Sequence, residues 1–219
     1  MNKVDPDGRY IVWIDNNHTE WRYNYDKGAF FDTDGNVYNG DNKFVTRLTS
    51  LLSTLRKKEA GRKLVKDLAN NVLGVVIAEG SASTERLYFD PNSLHPDVVS
   101  AITLCIGQEV DGFQQDFTTL AHEMAHAQDR INGTRDENIW FSIERNIIRK
   151  TEIYATHIEN LIRAENNIAL RTHYISTSTT IIDLLVDNRD YTSLYFINEY
   201  NHKANYQPLK RNEKRYKYK

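Results

Sequence analysis

The sequence predicts an α+β domain. Short runs rich in β-branched and aromatic residues, separated by turn pairs such as Asp34-Gly35, indicate strands. Longer stretches with apolar residues at every third or fourth position indicate amphipathic helices that bury one face. The chain has 219 residues and no proline-rich or glycine/serine-rich linker, so we predict one main domain with a packed core.

The elements follow one another in a definite order along the chain. Runs at residues 10–14, 20–25 and 29–32 predict a meander of hairpins, and helices follow at residues 43–56 and 62–69. Runs at residues 72–78 and 86–89 predict strands, whereas residues 98–106 fit a strand or a helix. The apolar spacing after residue 133 predicts one long helix at residues 138–163, and the basic residues 210–219 predict a solvated tail.

An HExxH pattern at residues 122–126 dominates the middle of the chain. Residues four apart on an α-helix lie nearly above one another, so His122 and His126 can reach one metal ion from one helix face. Asp129 follows the same spacing on that face, and Asn132-Gly133 is a plausible end of the helix. Glu123 is adjacent to the pair, where the general base of a zinc peptidase is expected.

A catalytic zinc site needs three protein ligands, and this pattern supplies two. A histidine six residues after His126 is excluded, because that position is Asn132. Asp136, in a Gly-Thr-x-Asp sequence, is one candidate, and the others are glutamates of the next helix, Glu152, Glu159 and Glu165. We choose Glu152 and keep Asp136 and Glu159 as alternatives. Glu152 and Glu159 are seven apart and share a helix face, so one can bind zinc while the other orients a histidine.

Composition excludes several classes of function. The formal net charge of −2 gives no reason to expect a nucleic-acid partner. No stretch is long enough to span a membrane, and no signal peptide opens the chain, so we expect delivery by another route. Cys105, the single cysteine, cannot form an internal disulfide, and we predict that it is a small buried side chain.

Three stretches resemble the NleD-type effector zinc metallopeptidases. They read LAHEMAHA at residues 120–127, TExxATxxENxxRAE at residues 151–165 and RTHY at residues 171–174. The similarity covers residues 43–174 and is densest from residue 120 onward. The resemblance implies a zincin-like metallopeptidase with a small mixed sheet packed on the HExxH helix and a second long helix. It also implies Zn²⁺ as cofactor and a protein of the target cell as substrate.

The resemblance assigns the site residues as well. It implies that His122, His126 and Glu152 bind the metal, and that Glu123, Arg171 and Tyr174 are catalytic. The members of that family are secreted effectors and toxin domains, with an active site similar to that of clostridial neurotoxin light chains. Arg171 and Tyr174 are three residues apart, so on a helical turn they would project the same way.

The start of the chain carries a second resemblance. The sequence DPDG at residues 5–8 looks like the junction that follows the core of Rhs/YD-repeat polymorphic toxins. It implies a larger Rhs/YD-repeat delivery protein, a cognate immunity protein and action in the cytoplasm of a target cell. We divide the chain into a hairpin region at residues 1–42, a catalytic domain at residues 43–209 and the basic tail at residues 210–219.

Two alternatives to a toxin metalloendopeptidase remain open. The same residues fit a zinc-dependent amidase that acts on cell-wall peptides, because that reaction also needs an activated water. They also fit a non-enzymatic binding domain that zinc stabilises, in which case the metal site would be closed by a fourth protein ligand.

Overall fold

The computed structural model describes residues 11–87, 97–106, 116–143, 146–176, 181–197, 206–210 and 212–218. The helices are α1 (Lys43–Leu55), α2 (Glu59–Ala69), α3 (Asp116–Ile131) and α4 (Thr151–Glu165). The first strands are β1 (Ile11–Ile14), β2 (Glu20–Asn24), β3 (Ala29–Phe31), β4 (Gly74–Glu79), β5 (Thr84–Leu87) and β6 (Val98–Leu104). The later strands are β7 (Ile139–Ile143), β8 (Asn146–Arg149), β9 (His173–Ser176), β10 (Ile181–Leu184), β11 (Val186–Asp187) and β12 (Thr192–Ser193).

Six strands form one mixed sheet in the order β3-β2-β1-β4-β6-β5. The three central strands, β1, β4 and β6, are parallel, and the outer strands pair antiparallel to their neighbours. The predicted α+β class is therefore confirmed, and the sheet is larger than the strands predicted between residues 72 and 89. The strands β1–β3 belong to this sheet, since β1 pairs parallel with β4 and Ile11 lies opposite Val75.

The two faces of the sheet bury different sets of side chains. Alternation along a strand places Ile11, Val75 and Ile77 on the face that packs against the helices. Val12 and Val76 point to the opposite face, where they form a small cluster with Val98 and Ala101. The helices thus cover one face of the sheet, and α3 lies against β5 and β6 as well as against the other three helices.

Small side chains let α3 approach its neighbours closely. Ala121, Ala125 and Ala127 are fully buried, so no long side chain separates this helix from the elements packed against it. At the start of α3, the guanidinium of Arg47 on α1 donates to Asp116 Oδ2 over 3.1 and 2.7 Å. Asp116 also places negative charge in the first turn, where it complements the helix dipole.

A buried carboxylate ties the edge strand β5 to the end of α3. The Glu85 side chain has no exposed surface and binds both Arg130, in the last turn of α3, and Arg135 beyond it. Ser100 on β6 donates a further hydrogen bond to the same carboxylate. These hydrogen bonds outweigh the burial that opposes ionisation and lower the pKa of Glu85. Strand β5 therefore has a fixed position relative to α3.

The long helix predicted at residues 138–163 is wrong in its first half. Residues 139–143 and 146–149 instead form the paired antiparallel strands β7 and β8, and α4 begins only at Thr151. Asp136 bends the chain, since its Oδ1 accepts the backbone N–H of Asn138 over 2.9 Å and its carbonyl accepts the N–H of Thr151 over 3.0 Å. Isoleucine and aromatic residues favour strands, although the spacing of Ile143 and Ile147 also fits a helix.

Several predicted boundaries shift by a few residues. Helix α2 begins at Glu59 rather than at residue 62, and β4 begins at Gly74, which leaves Val72 70% exposed. Strand β5 lies two residues earlier than predicted, and residues 88 and 89 lie outside the described part of the chain. Residues 98–104, which fitted either a strand or a helix, form the strand β6.

The predicted basic tail is only partly solvated. Lys210, residues 212–214 and Lys217 are exposed, whereas the tyrosine near its end packs against α4. Tyr218 is only 5% exposed, and its hydroxyl lies 2.6 Å from Nδ1 of His157. The sequence interpretation missed this because it weighed the basic residues of the segment above its tyrosines. Within the described ranges, none of the helices has the length and apolar character needed to cross a membrane.

Candidate metal centre

Three side chains of metal-binding type converge where α3 packs against α4. Nε2 of His122 lies 3.1 Å from Oε2 of Glu152, and Nε2 of His126 lies 3.2 Å from the same oxygen. The two imidazole rings meet edge to face, with their centroids 4.9 Å apart. One ligand atom from each of the three residues lies within 4.8 Å of the others.

These distances fit a zinc ion. Zinc binds histidine nitrogen and carboxylate oxygen at about 2.0–2.2 Å, so two tetrahedral ligands lie roughly 3.3 Å apart. The observed separations of 3.1 and 3.2 Å are close to that value. Two imidazoles and one carboxylate are also a donor set of catalytic zinc sites, which leave the fourth position open. The residues present therefore fit zinc in chemistry, and the two separations from Glu152 fit it in spacing.

The outer nitrogen of each imidazole has its own partner. Nδ1 of His122 lies 3.1 Å from Oε2 of Glu159, and Nδ1 of His126 lies 3.1 Å from the hydroxyl of Thr151. A histidine that donates from Nδ1 keeps its lone pair on Nε2, the atom that faces Glu152 in both residues. With both Nδ1 atoms partnered in this way, each Nε2 is the atom available to bind a metal ion.

Glu159 is held in place from several sides. It is buried, Arg163 donates to its Oε1 over 2.7 Å, and Arg171 donates to its Oε2 over 3.3 Å. Burial opposes ionisation, but the hydrogen bond from His122 and the nearby arginines lower the pKa of Glu159 to about 2. Glu159 is therefore placed to accept the Nδ1 proton of His122 and to orient its ring.

The centre has the electrostatics of a cation site. Burial disfavours the charged form of His122, but hydrogen bonds to Glu152 and Glu159 outweigh it and raise its pKa to about 10. Burial likewise disfavours ionised Glu152, but hydrogen bonds from His122 and His126 lower its pKa. Two carboxylates are thus concentrated around one pair of imidazoles, which favours a bound cation.

Glu123 faces a cleft beside the three converging side chains. The cleft has a volume of about 280 Å³, and it is lined by residues of α3, of the loop after β4 and of the segment around β9. Glu123 is only 8% exposed. Its pKa is raised, because the effect of burial outweighs the opposing effect of the two imidazoles. The lining also includes His122, Arg171 and Tyr174. A carboxylate in this position can exchange a proton with a molecule in the cleft.

Arg171 and Tyr174 meet, but not on the helical turn that their spacing suggested. Tyr174 belongs to β9, and Arg171 precedes that strand. The guanidinium lies 4.8 Å from the centroid of the Tyr174 ring and donates to the Tyr174 carbonyl over 3.1 Å. Trp140 and Phe141 of the β7–β8 hairpin pack edge-on against the same ring. Burial and the negative charge and hydrogen bonding of Glu152 raise the pKa of the Tyr174 hydroxyl.

The other candidate ligands have different partners. Asp136 accepts hydrogen bonds from the backbone and the side chain of Asn138 and lies outside the converging group. The carboxylate of Glu165 accepts the backbone N–H of Ala60 over 3.1 and 3.0 Å, which places it at the start of α2. Of the alternatives considered, the structure brings Glu152 to the two histidines and Glu159 behind them.

Sequence reasoning missed two features of the site. Thr151 was not singled out, because a threonine that begins a helix has no spacing signature. Cys105 was expected in the core, but it is half-buried and lines the cleft, with its N–H donated to Ser83 Oγ over 3.1 Å.

Comparison with known families gives one match. The model of a family named Peptidase M91 and described as "Effector protein" matches residues 32–174, which include all the residues of the centre described above. Comparison with curated proteins and with solved structures gave no match.

Proposed function

The chain belongs to the Peptidase M91 family of effector proteins, and we propose that it is a zincin-like zinc metalloendopeptidase that cleaves a protein of a target cell. The observation that carries the proposal is the convergence of His122, His126 and Glu152 beside a buried Glu123 that faces a cleft. A peptidase family, a metal-binding donor set and a proton acceptor in one place support hydrolysis of a peptide bond by water.

Each residue has a part in this mechanism. His122, His126 and Glu152 would hold the zinc, which when bound would supply a Lewis acid that polarises a carbonyl and acidifies water. Glu123 accepts a proton from the attacking water in the cleft and delivers it to the amine that leaves. Because Glu123 follows His122 directly on α3, the same helix that positions the metal positions this proton acceptor.

Tyr174 and Arg171 supply the charge stabilisation in this proposal. Attack of water on an amide produces a tetrahedral intermediate with a negative oxygen, and a positioned donor lowers its energy. Tyr174 lines the cleft together with His122 and Glu123, so it lies beside the metal centre. Arg171 holds the tyrosine through its ring and its carbonyl, and it also lines the cleft.

Replacing Tyr174 with phenylalanine tests the role of the hydroxyl. We expect Tyr174→Phe to keep zinc and fold and to lower turnover by about 10²–10³-fold, the usual cost of losing one such donor. Steady-state cleavage rates, with zinc content measured on the same samples, provide the readout. Tyr191→Phe is the matched control, because Tyr191 is exposed and does not line the cleft. Equal turnover in both variants would remove Tyr174 from the mechanism.

Delivery and partners extend the proposal. We propose that the chain acts in the cytoplasm of a target cell, that a larger Rhs/YD-repeat protein delivers it, and that a cognate immunity protein protects the producer. Family membership supports an effector role. The DPDG sequence at residues 5–8, on which the delivery proposal rests, lies outside the described part of the chain.

The proposed activity is tested by incubating the purified protein with a lysate of candidate target cells and mapping new protein N-termini. We expect a small set of new N-termini that disappears when a chelator removes the metal and returns when zinc is added. Release of fragments from peptidoglycan in place of protein cleavage would support the amidase. Tight zinc binding with hydrolysis of neither material would support the non-enzymatic domain.

A further inference from the structure

The two histidines of the metal centre are supported by chemically different groups. His122 has a carboxylate behind it, whereas Nδ1 of His126 faces the hydroxyl of Thr151 at 3.1 Å. A hydroxyl can donate or accept, so by itself it does not fix which nitrogen of the imidazole carries the proton. The partners of Thr151 therefore decide whether its hydroxyl accepts from His126.

Asp129 determines the direction in which the Thr151 hydroxyl donates its proton. Its Oδ2 lies 3.3 Å from the Thr151 hydroxyl, and both residues are almost completely buried. A carboxylate oxygen accepts, so the single hydroxyl proton of Thr151 points to Asp129. The hydroxyl oxygen is then left to accept from His126. When zinc is bound at Nε2 in place of the contact with Glu152, the imidazole proton therefore lies on Nδ1.

Asp129 is itself held in this orientation. Thr134 donates its hydroxyl to Asp129 Oδ1 over 2.6 Å, which leaves Oδ2 directed at Thr151. His126 and Asp129 are three residues apart on α3, so they lie on the same side of the helix. Thr151 comes from the first turn of α4, directly before Glu152, and it bridges the two helices that carry the ligands.

We infer that Asp129 and Thr151 form a relay that positions His126 for the metal, and that the relay acts through the proton of the Thr151 hydroxyl. This inference rests on the proposed zinc site. Neither residue touches the metal or the substrate, so both are positioning residues. Thr151 directly precedes Glu152 in the chain. The residue that orients His126 is therefore next to the residue that supplies the third ligand.

The test compares the zinc dissociation constants of three variants, measured by competition with a chromophoric chelator. Thr151→Val has nearly the same shape without the hydroxyl, and we expect zinc binding to weaken by about 10–100-fold, as for other groups that orient metal ligands. Thr151→Ser restores a hydroxyl, and we expect it to bind zinc within a few-fold of the wild-type protein.

Thr156→Val is the matched control. Thr156 is fully buried on the same helix, and its hydroxyl has no hydrogen-bond partner among the described residues. The same chemical change there is expected to leave zinc affinity unchanged. Melting temperatures of the metal-free proteins show whether each variant folds. Thr151→Ala, with a residue that favours helices, replaces Thr151→Val if valine is not accommodated.

The outcomes separate this inference from the proposed function. If the wild-type protein and the Thr156→Val variant bind zinc tightly and the folded Thr151→Val or Thr151→Ala variant binds it equally well, the relay is wrong and the zinc site stands. If Thr151→Ser binds as weakly as Thr151→Val, the hydroxyl is not the acting group. If the wild-type protein does not bind zinc, the proposed function itself fails.

Discussion

Replacement of Glu123 by glutamine is expected to stop cleavage while the protein keeps its fold and its zinc. Glutamine has nearly the same shape as glutamate, but its amide does not accept the proton that the attacking water must lose. General-base catalysis contributes about 10²–10⁴-fold, so we expect a loss of turnover of at least this order. The measurement is the cleavage rate of a protein identified by its new N-terminus, together with zinc content and melting temperature.

Glu79→Gln provides the control for this experiment. Glu79 is an exposed residue at the end of β4, so the same chemical change there leaves the cleft unaltered. A Glu123→Gln variant as active as this control would show that another group accepts the proton. Loss of zinc from Glu123→Gln would mean that Glu123 helps to build the metal site.

The second large effect concerns the two glutamates of α4. Glu152→Gln is expected to lose stoichiometric zinc, because two imidazoles alone do not hold the ion tightly. Glu159→Gln is expected to keep zinc with about 10–100-fold weaker affinity, because glutamine can still accept the N–H of His122. The two variants make the same chemical change seven residues apart on one helix, so each controls for the other.

Zinc content after gel filtration and competition with a chelator measure this difference. The opposite ranking, with zinc lost from Glu159→Gln and retained by Glu152→Gln, would exchange the roles of the two residues. Full zinc content in both variants would mean that neither carboxylate is a ligand. Asp136 would then be the remaining candidate for the third ligand.

The motif helix could be predicted from the sequence because its signals are local. The spacing of His122 and His126 and the stop at Asn132-Gly133 are properties of one segment, and α3 ends at Ile131, directly before that predicted stop. The faces of α4 were also readable, since Glu152 and Glu159 are seven apart and both contact His122. Periodicity predicts which side chains share a face when all of them lie on one helix.

Other features depend on contacts between distant segments. The pairing of β1 with β4 and the hairpin β7–β8 are set by packing, and the spacing of Ile143 and Ile147 fits a helix as well as a strand. The approach of Thr151 to Asp129 joins residues 22 positions apart in sequence. A hydroxyl that acts through one proton leaves no pattern in the sequence, so this contact became visible only in the folded structure.

The placement of the ligands on two helices links the metal to the folding of the chain. His126 and Glu152 are 26 residues apart, with the hairpin β7–β8 between them, so an unfolded chain does not hold the three donors together. Zinc at the proposed site would therefore bind the folded state and stabilise it, and the melting temperatures of zinc-loaded and chelated protein measure this coupling. If the delivery proposed above passes the chain through unfolded, the chain would leave its metal behind. The zinc available where the chain refolds, and not the zinc of the cell that made it, would then determine whether the protein becomes active.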